Sequence, residues 1–593
     1  MKYRREIDGL RALAVLPVIL FHAGLNNFSG GFIGVDVFFV ISGYLITTII
    51  IDELSQGNFS IINFYERRAR RILPALFLVM FVSLILGYVW LMPDEFKNFG
   101  QSLVATSLFS NNILLSFTSG YWSLASEFKP LLHTWSLGVE EQYYVIVPIL
   151  LMFFWRISRR SILYLLWIIF FSSLFFSIWF VNLSPDWAFY NLPTRAWEIS
   201  TGALSSMYLR LYSPITSNHK LSDILSFSGF VLIIFSIFSF DNTVLSPSYL
   251  LLIPTIGAAL IIIFCRPGTF VFKILGNKIV VFLGLLSYSL YLWHQPVFAY
   301  LRAYSSEHPS PINFLALLPF IFILAFLTWK FIEMPFRMKS FFEKKYLFIF
   351  SLSCSVVFVA IGLVLNKDYG MPMRVFGANI STGDMDKRIY NEKVFSYKKD
   401  KFITTSLTKI LIIGNSSARD FTNVTLENFD VGRVEIIYRD DLYECINSNF
   451  SRGFSDLFFD ADVIVFASGG YSKNCYRNDI SFALNNNKKI YYIGTKEFGY
   501  NLNWLLRLEK DERMNQFNSI SNEIISADKE MSETIPWEHF ISLLKPTLVN
   551  DKIPITDELG RMLSTDRKHL TKYGALYFGK KAVLTSSYSE LFK

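Results

Sequence analysis

The sequence predicts a polytopic α-helical membrane bundle of about eleven transmembrane helices, followed by an α/β domain. Three observations predict it. Apolar stretches near twenty residues long recur from Leu10 to Leu365, and each is long enough to cross a bilayer core. Lys and Arg gather in alternate loops, and beyond Asn366 short β-rich runs alternate with polar helical segments. Composition agrees. The 593 residues are 52% hydrophobic and 17% aromatic, with 59 Phe and only 18% charged, and the mean hydropathy is +0.36. A single soluble globule, a disordered chain and a disulfide-rich secreted scaffold are all excluded. Four cysteines cannot staple a chain of this length. A net charge of +8 suits nucleic acid in principle, but the placement of those charges marks a membrane.

Spans are predicted near 8–25, 32–51, 72–92, 137–155, 161–182, 196–211, 222–240, 249–265, 279–300, 312–334 and 346–365. The stretch 101–117 is apolar but carries Ser107, Ser110, Asn111 and Asn112, so it is expected to be re-entrant or a partial helix. With the N-terminus inside, nineteen Lys and Arg fall in cytoplasmic loops and four (Lys97, Lys129, Arg195 and Arg302) fall opposite. That asymmetry is the positive-inside pattern. The first span follows a short basic head and lacks a small-residue cleavage site, so it is expected to be retained. Eleven crossings put residues 366–593 outside. There Ile410–Ile413, Val434–Tyr438, Val463–Ala467 and Ile490–Ile493 read as strands, and Asp511–Met531 and Leu570–Val583 as helices. That alternation predicts a parallel sheet flanked by helices. Residues 366–408 are expected to be a linker or an extension packed on the domain. Cys445 and Cys475 stand as a possible disulfide or as two thiols.

Charged groups within spans cost roughly 2.5–3.5 kcal/mol on insertion scales, so each invites a functional reading. Span 1 carries Asp8, Arg11 and His22. At 1.5 Å per residue Arg11 and His22 share one helix face, roughly 16 Å apart, and Asp8 lies within ion-pairing reach of Arg11. Counting residues from the outer ends of their spans puts Asp36, His133, Glu140, Glu141 and His294 at about the height of His22. On the cytoplasmic side Arg67, Arg68, Arg70 and Arg71 crowd into five positions, with Glu333 and Arg337 nearby in the scheme. Arginine forks suit phosphate. The two layers describe a phosphate-rich donor held from the cytoplasm, with its reactive end pointing at a base near the other face.

At these residues the sequence resembles the acyltransferase-3 family of integral membrane acyltransferases. The resemblance rests on Ile7–Val15 with the Arg11/His22 pair, Gly34–Gly43 (which contains Ser42), Arg68/Arg71, His133–Gln142, Ser287–His294 and Glu333–Phe336. It covers about residues 1–340, with 346–365 as the eleventh helix and 409–593 as a fused outer domain. The resemblance implies acetyl-CoA as cytoplasmic donor, essential His22 and Arg11, and delivery of the acetyl group to an envelope glycan. Bacterial O-antigen O-acetylases are the first choice, ahead of peptidoglycan or capsule. Neither a metal nor nucleic acid is expected. Glu140 is expected to orient His22; Asp8, Asp36, Ser42, His133, Glu141, His294 and Glu333 are substrate or structural candidates.

The fused domain is similar to SGNH hydrolases. Ile410–Ser416 is a strand running into a turn that presents Ser416 at the strand's carboxyl end, where α/β folds expose their chemistry. Asp566 and His569, three apart, complete the order Ser, Asp, His. Asn415 stands where that family usually has Asp, and Ser417 where it has His. Phe466–Tyr471 stands in place of the Gly-x-Asn-Asp block. The Ser416 and Gly470 amides, or Asn474, are left as oxyanion donors. The expected localisation is the bacterial inner membrane, with the C-terminal domain in the periplasm. Two rivals are a proton-coupled transporter or flippase with a periplasmic binding domain, and a deacetylase tethered to an inert anchor.

Overall fold

A computed structural model describes residues 3–118, 126–211, 218–241, 243–377, 384, 387–441, 452–468 and 473–592. The chain divides into two compact units. The first comprises Met1–Tyr88, Lys97–Arg302 and Pro309–Lys367; the second comprises Val89–Phe96, Ala303–His308 and Asp368–Lys593.

The first unit is helical. Among the described residues a helix stands at each predicted span: α1 (Arg5–His22), α2 (Gly34–Ser55), α3 (Ile61–Trp90), then, after the broken segment, α6 (Thr134–Ile157) and α7 (Arg159–Leu183). They are followed by α8 (Leu192–Leu211), α9 (His219–Ser239), α10 (Leu252–Phe264), α11 (Lys278–Tyr304), α12 (Pro311–Thr328) and α13 (Lys344–Lys367). Seven described helical segments are long and apolar enough to cross a membrane on length and composition alone. The helices outside that group are α1, α8, α10 and α11. The first two carry four and three charged residues, α10 has 13 residues, and α11 is diluted by Tyr, His and Gln. Both histidines of the pair described below, His22 and His294, come from helices of this second group.

The weakly apolar stretch 101–117 is a broken helix: α4 (Pro93–Ser107) stops, Phe109 takes φ 52°, and α5 (Asn111–Thr118) resumes. The asparagines hold the break. Asn111 Nδ2 donates to Thr134 Oγ1 (2.8 Å) and the Leu131 carbonyl (2.9 Å), and Asn112 Oδ1 accepts from Gln142 Nε2 (2.9 Å). Gln142 Nε2 also donates to the Phe109 carbonyl at the break itself (3.0 Å), the kind of partner that non-helical backbone needs within a membrane.

Close helix contacts rest on glycine. A Cβ on Gly43 of α2 would lie 1.8 Å from the Ile199 carbonyl oxygen of α8, and one on Gly202 would lie 1.8 Å from the Val40 carbonyl. Small residues at such crossings let backbones approach. Gly43→Val is therefore expected to abolish a monodisperse, detergent-extracted protein, as read by size-exclusion chromatography. A wild-type elution profile for that variant would refute the packing argument.

The second unit is α/β. Strands β1 (Thr408–Gly414), β2 (Val434–Arg439), β3 (Val463–Ala467), β4 (Lys489–Ile493) and β6 (Phe540–Ile541) form one parallel sheet in the order β2-β1-β3-β4-β6. A short antiparallel pair joins β5 (Phe517–Ser519) to β7 (Lys552–Pro554). Parallel strands need cover on both faces, and alternate residues supply it. Ile410, Ile412, Ile436 and Val465 enter one buried cluster, and Leu411, Ile413, Ile437 and Phe466 the other.

One expectation narrows and another changes here. Val375, Tyr390 and Val394 of the 366–408 segment are buried in the first of those clusters, so of the two alternatives, linker or packed extension, its described residues fit the packed extension. The helix expected over Asp511–Met531 is confined to Asn522–Thr534, where Ser521 Oγ accepts from the Ile524 amide. Its first half instead forms a turn and then β5, because the buried Asn518 amide donates to the Phe498 (2.8 Å) and Asn501 (2.9 Å) carbonyls. Cys475 is disulfide-bonded, Cys265 and Cys354 are free thiols, and Cys445 lies outside the described residues.

Candidate active site

In the helical unit α1 delivers His22 at its last residue and α11 delivers His294. Their rings stack 5.1 Å apart, with His22 Nδ1 3.1 Å from His294 Nε2. His294 Nδ1 lies 2.6 Å from the Tyr291 carbonyl oxygen. A carbonyl only accepts, so Nδ1 of His294 carries a proton and its Nε2 presents a lone pair. His22 Nδ1 must then donate, which leaves His22 Nε2 deprotonated in the neutral ring. The pair thus does with two imidazoles what a carboxylate does for a single one: it fixes the tautomer and aims a free base. Arg302 Nη2 donates to the His22 carbonyl (3.0 Å) and anchors the end of α1.

His22 lines a cavity of about 510 Å³ together with Asp36, His133, Arg195 and Tyr291. A second, larger cavity of about 880 Å³ runs from Arg11, Arg68 and Arg71 past Ser42, Glu140 and Tyr144 to His133. Val35, His133 and Tyr291 line both. The two chambers are therefore neighbours that share these three side chains as a common wall, and His22 lines the smaller of them.

Several predicted residues sit elsewhere than expected. Glu140 does not orient His22. It lies seven residues into the chain beyond His133, roughly 10 Å along the helix, and accepts from Tyr144 Oη (3.2 Å) in the chamber that holds Arg68 and Arg71. Tyr144 Oη also pairs with Ser42 Oγ. Glu141 is buried on the same helix turn, with Oε1 unpartnered among the described residues.

Of the four clustered arginines, only Arg68 and Arg71 line the cavity. Arg67 pairs with Glu53 (2.9 Å), and Arg70 pairs with Glu66 (2.9 Å) while donating to the Phe336 and Phe342 carbonyls. Arg337 pairs with Glu333 (2.8 Å), which also accepts from Ser289. These three are neutralised by neighbours. Arg11 keeps the expected ion pair with Asp8 (3.4 Å) and still reaches the chamber.

Asp36 belongs to a buried triad. Arg195 Nη1 lies 2.9 Å from Asp36 and 3.0 Å from Glu198, with the guanidinium over the Phe189 and Trp135 rings. Loop counting treats Arg195 and Arg302 as exposed charges, yet both are buried. The spacing Arg195–Glu198, one helix turn, is the signal that marks the first of them.

In the α/β unit Ser416 opens α14 (Ser416–Asn428) directly after β1. Strand β1 lies between β2 and β3, the switch point at which open α/β sheets bind ligands. Gly414 takes φ 151°, and a Cβ there would lie 2.1 Å from the Ala467 carbonyl. Asn415 ties the turn down: Nδ2 donates to the Ser468 carbonyl and Oδ1 accepts from the Ser417 amide, both at 2.9 Å.

His569 Nδ1 lies 2.7 Å from Asp566 Oδ2, and its own amide donates to Oδ1 (2.8 Å). The carboxylate thus holds the Nδ1–H tautomer and leaves Nε2 as base. Asp420, one turn after Ser416, accepts from the Leu570 amide (3.2 Å) and pairs with Lys496 (2.7 Å), which also donates to the Lys568 carbonyl (2.7 Å). That network brings the Asp566–His569 loop to the start of α14. No hydrogen bond joins Ser416 to His569 among the described residues. Gly470 and the Asn474 side chain lie outside the described residues.

The comparisons with known proteins follow this geometry. Residues 4–330 match the acyltransferase-3 family, described as "Acyltransferase domain". The chain is 33% identical over 356 residues to "Peptidoglycan O-acetyltransferase OatA" of Listeria monocytogenes, covering 57% of each chain. It is 32% identical over 357 residues to "Putative peptidoglycan O-acetyltransferase YrhL" of Bacillus subtilis, covering 57% of this chain and 56% of that one. The chain thus matches a little over half the length of these curated relatives. No solved structure matches. With its histidine pair, arginine-lined chamber and a family match spanning more than half its length, the chain belongs to the acyltransferase-3 family.

Proposed function

We propose that this protein is a membrane O-acetyltransferase that takes an acetyl group from acetyl-CoA on the cytoplasmic side and delivers it to a hydroxyl of an envelope glycan. The observation that carries the reading is a pair of adjacent chambers that share His133 in their walls, with arginines lining one and His22, whose Nε2 is left as base, lining the other. The phosphates of coenzyme A suit Arg68 and Arg71, whose forks bind phosphate oxygens in pairs. The thioester end then lies toward His22. His22 Nε2 takes the proton of an incoming hydroxyl, the oxygen attacks the thioester carbonyl, and the thiolate leaves.

The α/β unit acts as an SGNH-type acyl carrier in this scheme. Ser416 Oγ, its proton taken by His569 held by Asp566, attacks the carbonyl of the ester first formed and releases that hydroxyl; the sugar hydroxyl then displaces Ser416 in the same way and carries the acetyl away. The printed names of the relatives favour peptidoglycan as the acceptor, with O-antigen sugar second. The inner membrane, with the α/β unit in the periplasm, is the setting this chemistry requires.

Purified protein in liposomes with radiolabelled acetyl-CoA tests the reading. CoA is expected to be released at a rate that His22→Ala removes. A carrier or flippase releases none, and that outcome would end the proposal. The double substitution Arg68→Ala/Arg71→Ala is expected to raise the KM for acetyl-CoA by about 10²–10⁴-fold, since hydrogen bonds to charged groups contribute roughly 1.5–3 kcal/mol each. An unchanged KM would relocate the donor site.

A further inference from the structure

We infer that His133 is a catalytic residue that donates its N–H to the carbonyl oxygen of the acyl thioester as that oxygen becomes an oxyanion; this rests on the acyl-transfer reading above. His133 immediately precedes α6 and is 2% exposed. Both ring nitrogens are buried without a hydrogen-bond partner in the described residues. Leaving a buried polar group unpaired costs about 1–3 kcal/mol, so a purely structural position would favour an apolar ring of the same size.

The backbone around that ring is fixed while the ring is left unpaired. Tyr291 Oη donates to the His133 carbonyl (2.9 Å) and lies 2.8 Å from Ser136 Oγ. Thr134, the next residue, is held by Asn111. The imidazole packs edge-on against Tyr291 (5.3 Å between centroids) and His294 (5.6 Å). It is one of three side chains shared by the walls of both chambers, and Val35 and Tyr291 are the other two. The Tyr291 hydroxyl is engaged and Val35 has no polar atom. Among these three, His133 alone offers an unspent donor where a thioester coming from the arginine chamber meets a base in the His22 chamber.

The step balances. The hydroxyl proton moves to His22 Nε2, the new C–O bond forms, and the carbonyl π pair moves onto oxygen, where the His133 N–H meets it. Collapse restores the carbonyl, breaks the C–S bond and returns the proton from His22 to the thiolate. Because the donor is paid for only when charge develops, it acts on kcat more than on KM.

Two variants test this in the liposome assay. His133→Phe keeps the ring volume and removes both nitrogens, whereas His133→Gln keeps an N–H donor. Loss of one oxyanion donor is worth about 10²–10³ in rate, so His133→Phe is expected to lower kcat by about 100-fold with KM for acetyl-CoA within about threefold of wild type. His133→Gln is expected to recover about tenfold or more of that loss. Equal kcat for the Phe and Gln variants, or a Phe variant that raises KM at unchanged kcat, overturns the proposal. A wild-type protein that releases no CoA would instead remove the functional reading beneath it.

Discussion

His22→Ala is expected to lower CoA release by about 10³–10⁴-fold, near the upper end of what positioned acid–base groups contribute. His294→Ala is expected to cost about 10²-fold, and the double substitution should be no slower than His22→Ala alone. The expectation follows from the tautomer chain. The Tyr291 carbonyl fixes the proton on His294 Nδ1, and His294 Nε2 then holds the proton on His22 Nδ1. Without His294 the His22 ring loses its orienting acceptor, and its proton is free to sit on Nε2, where it blocks the base. Once His22 is gone, His294 has nothing to orient. Groups acting as one unit are non-additive in this way. His294→Gln keeps a side-chain oxygen able to accept from His22 Nδ1 and is expected to recover part of the rate. Independent, multiplying effects of the two alanine substitutions, measured as CoA release, would sink the relay.

Much of this architecture is legible in the sequence, because burial in lipid and burial in a parallel sheet both write long apolar runs. The helices stand where the hydropathy peaks fall, and β1 to β4 stand within two residues of the predicted strands. The histidines at the outer end were reachable by counting along spans. Their pairing was not, since His22 and His294 are 272 positions apart and nothing local in sequence couples them. Glu140 shows where depth counting fails. Counting from the start of its span places it with His22, but α6 begins at Thr134, immediately after His133, and two helix turns carry Glu140 to the arginines. Arginine clusters mislead for a related reason. Arg70 has Glu66 one turn behind it and is spent on that pair, whereas Arg68 and Arg71 face the chamber. An i,i+4 Glu–Arg spacing on a helix is the sequence signal that marks Arg70 as paired; Arg67, whose partner Glu53 lies fourteen positions away, carries no such signal. Arg195 reads as a loop charge because its helix, α8, begins four residues earlier than the apolar run suggests.

Ser416→Ala is expected to leave CoA release by the purified protein measurable while glycan O-acetylation in cells falls by about 10³-fold or more, the scale seen when an activated nucleophile is removed. The separation follows from two bases prepared in two places. His22 Nε2 is set by His294 in the helical unit, and His569 Nε2 is set by Asp566, 2.7 Å from Nδ1, in the α/β unit. Each arrangement leaves one ring nitrogen with a lone pair, which suits the two proton transfers of the proposed scheme. A direct, single-step transfer to sugar needs only the first. The turn that carries Ser416 is pinned on both sides, by Gly414 against Ala467 and by Asn415 bridging Ser468 and Ser417. The loop that carries His569 is tied to the same helix through Asp420 and Lys496. A domain that merely bound glycan would have no need of an Asp–His pair with a fixed tautomer. Asp566→Asn is expected to follow Ser416→Ala, since an amide oriented to donate would force the His569 proton onto Nε2. Measuring both variants by NMR of isolated envelope glycan decides between the routes: wild-type acetylation in Ser416→Ala would eliminate the acyl-serine step and leave His22 to activate the sugar hydroxyl itself.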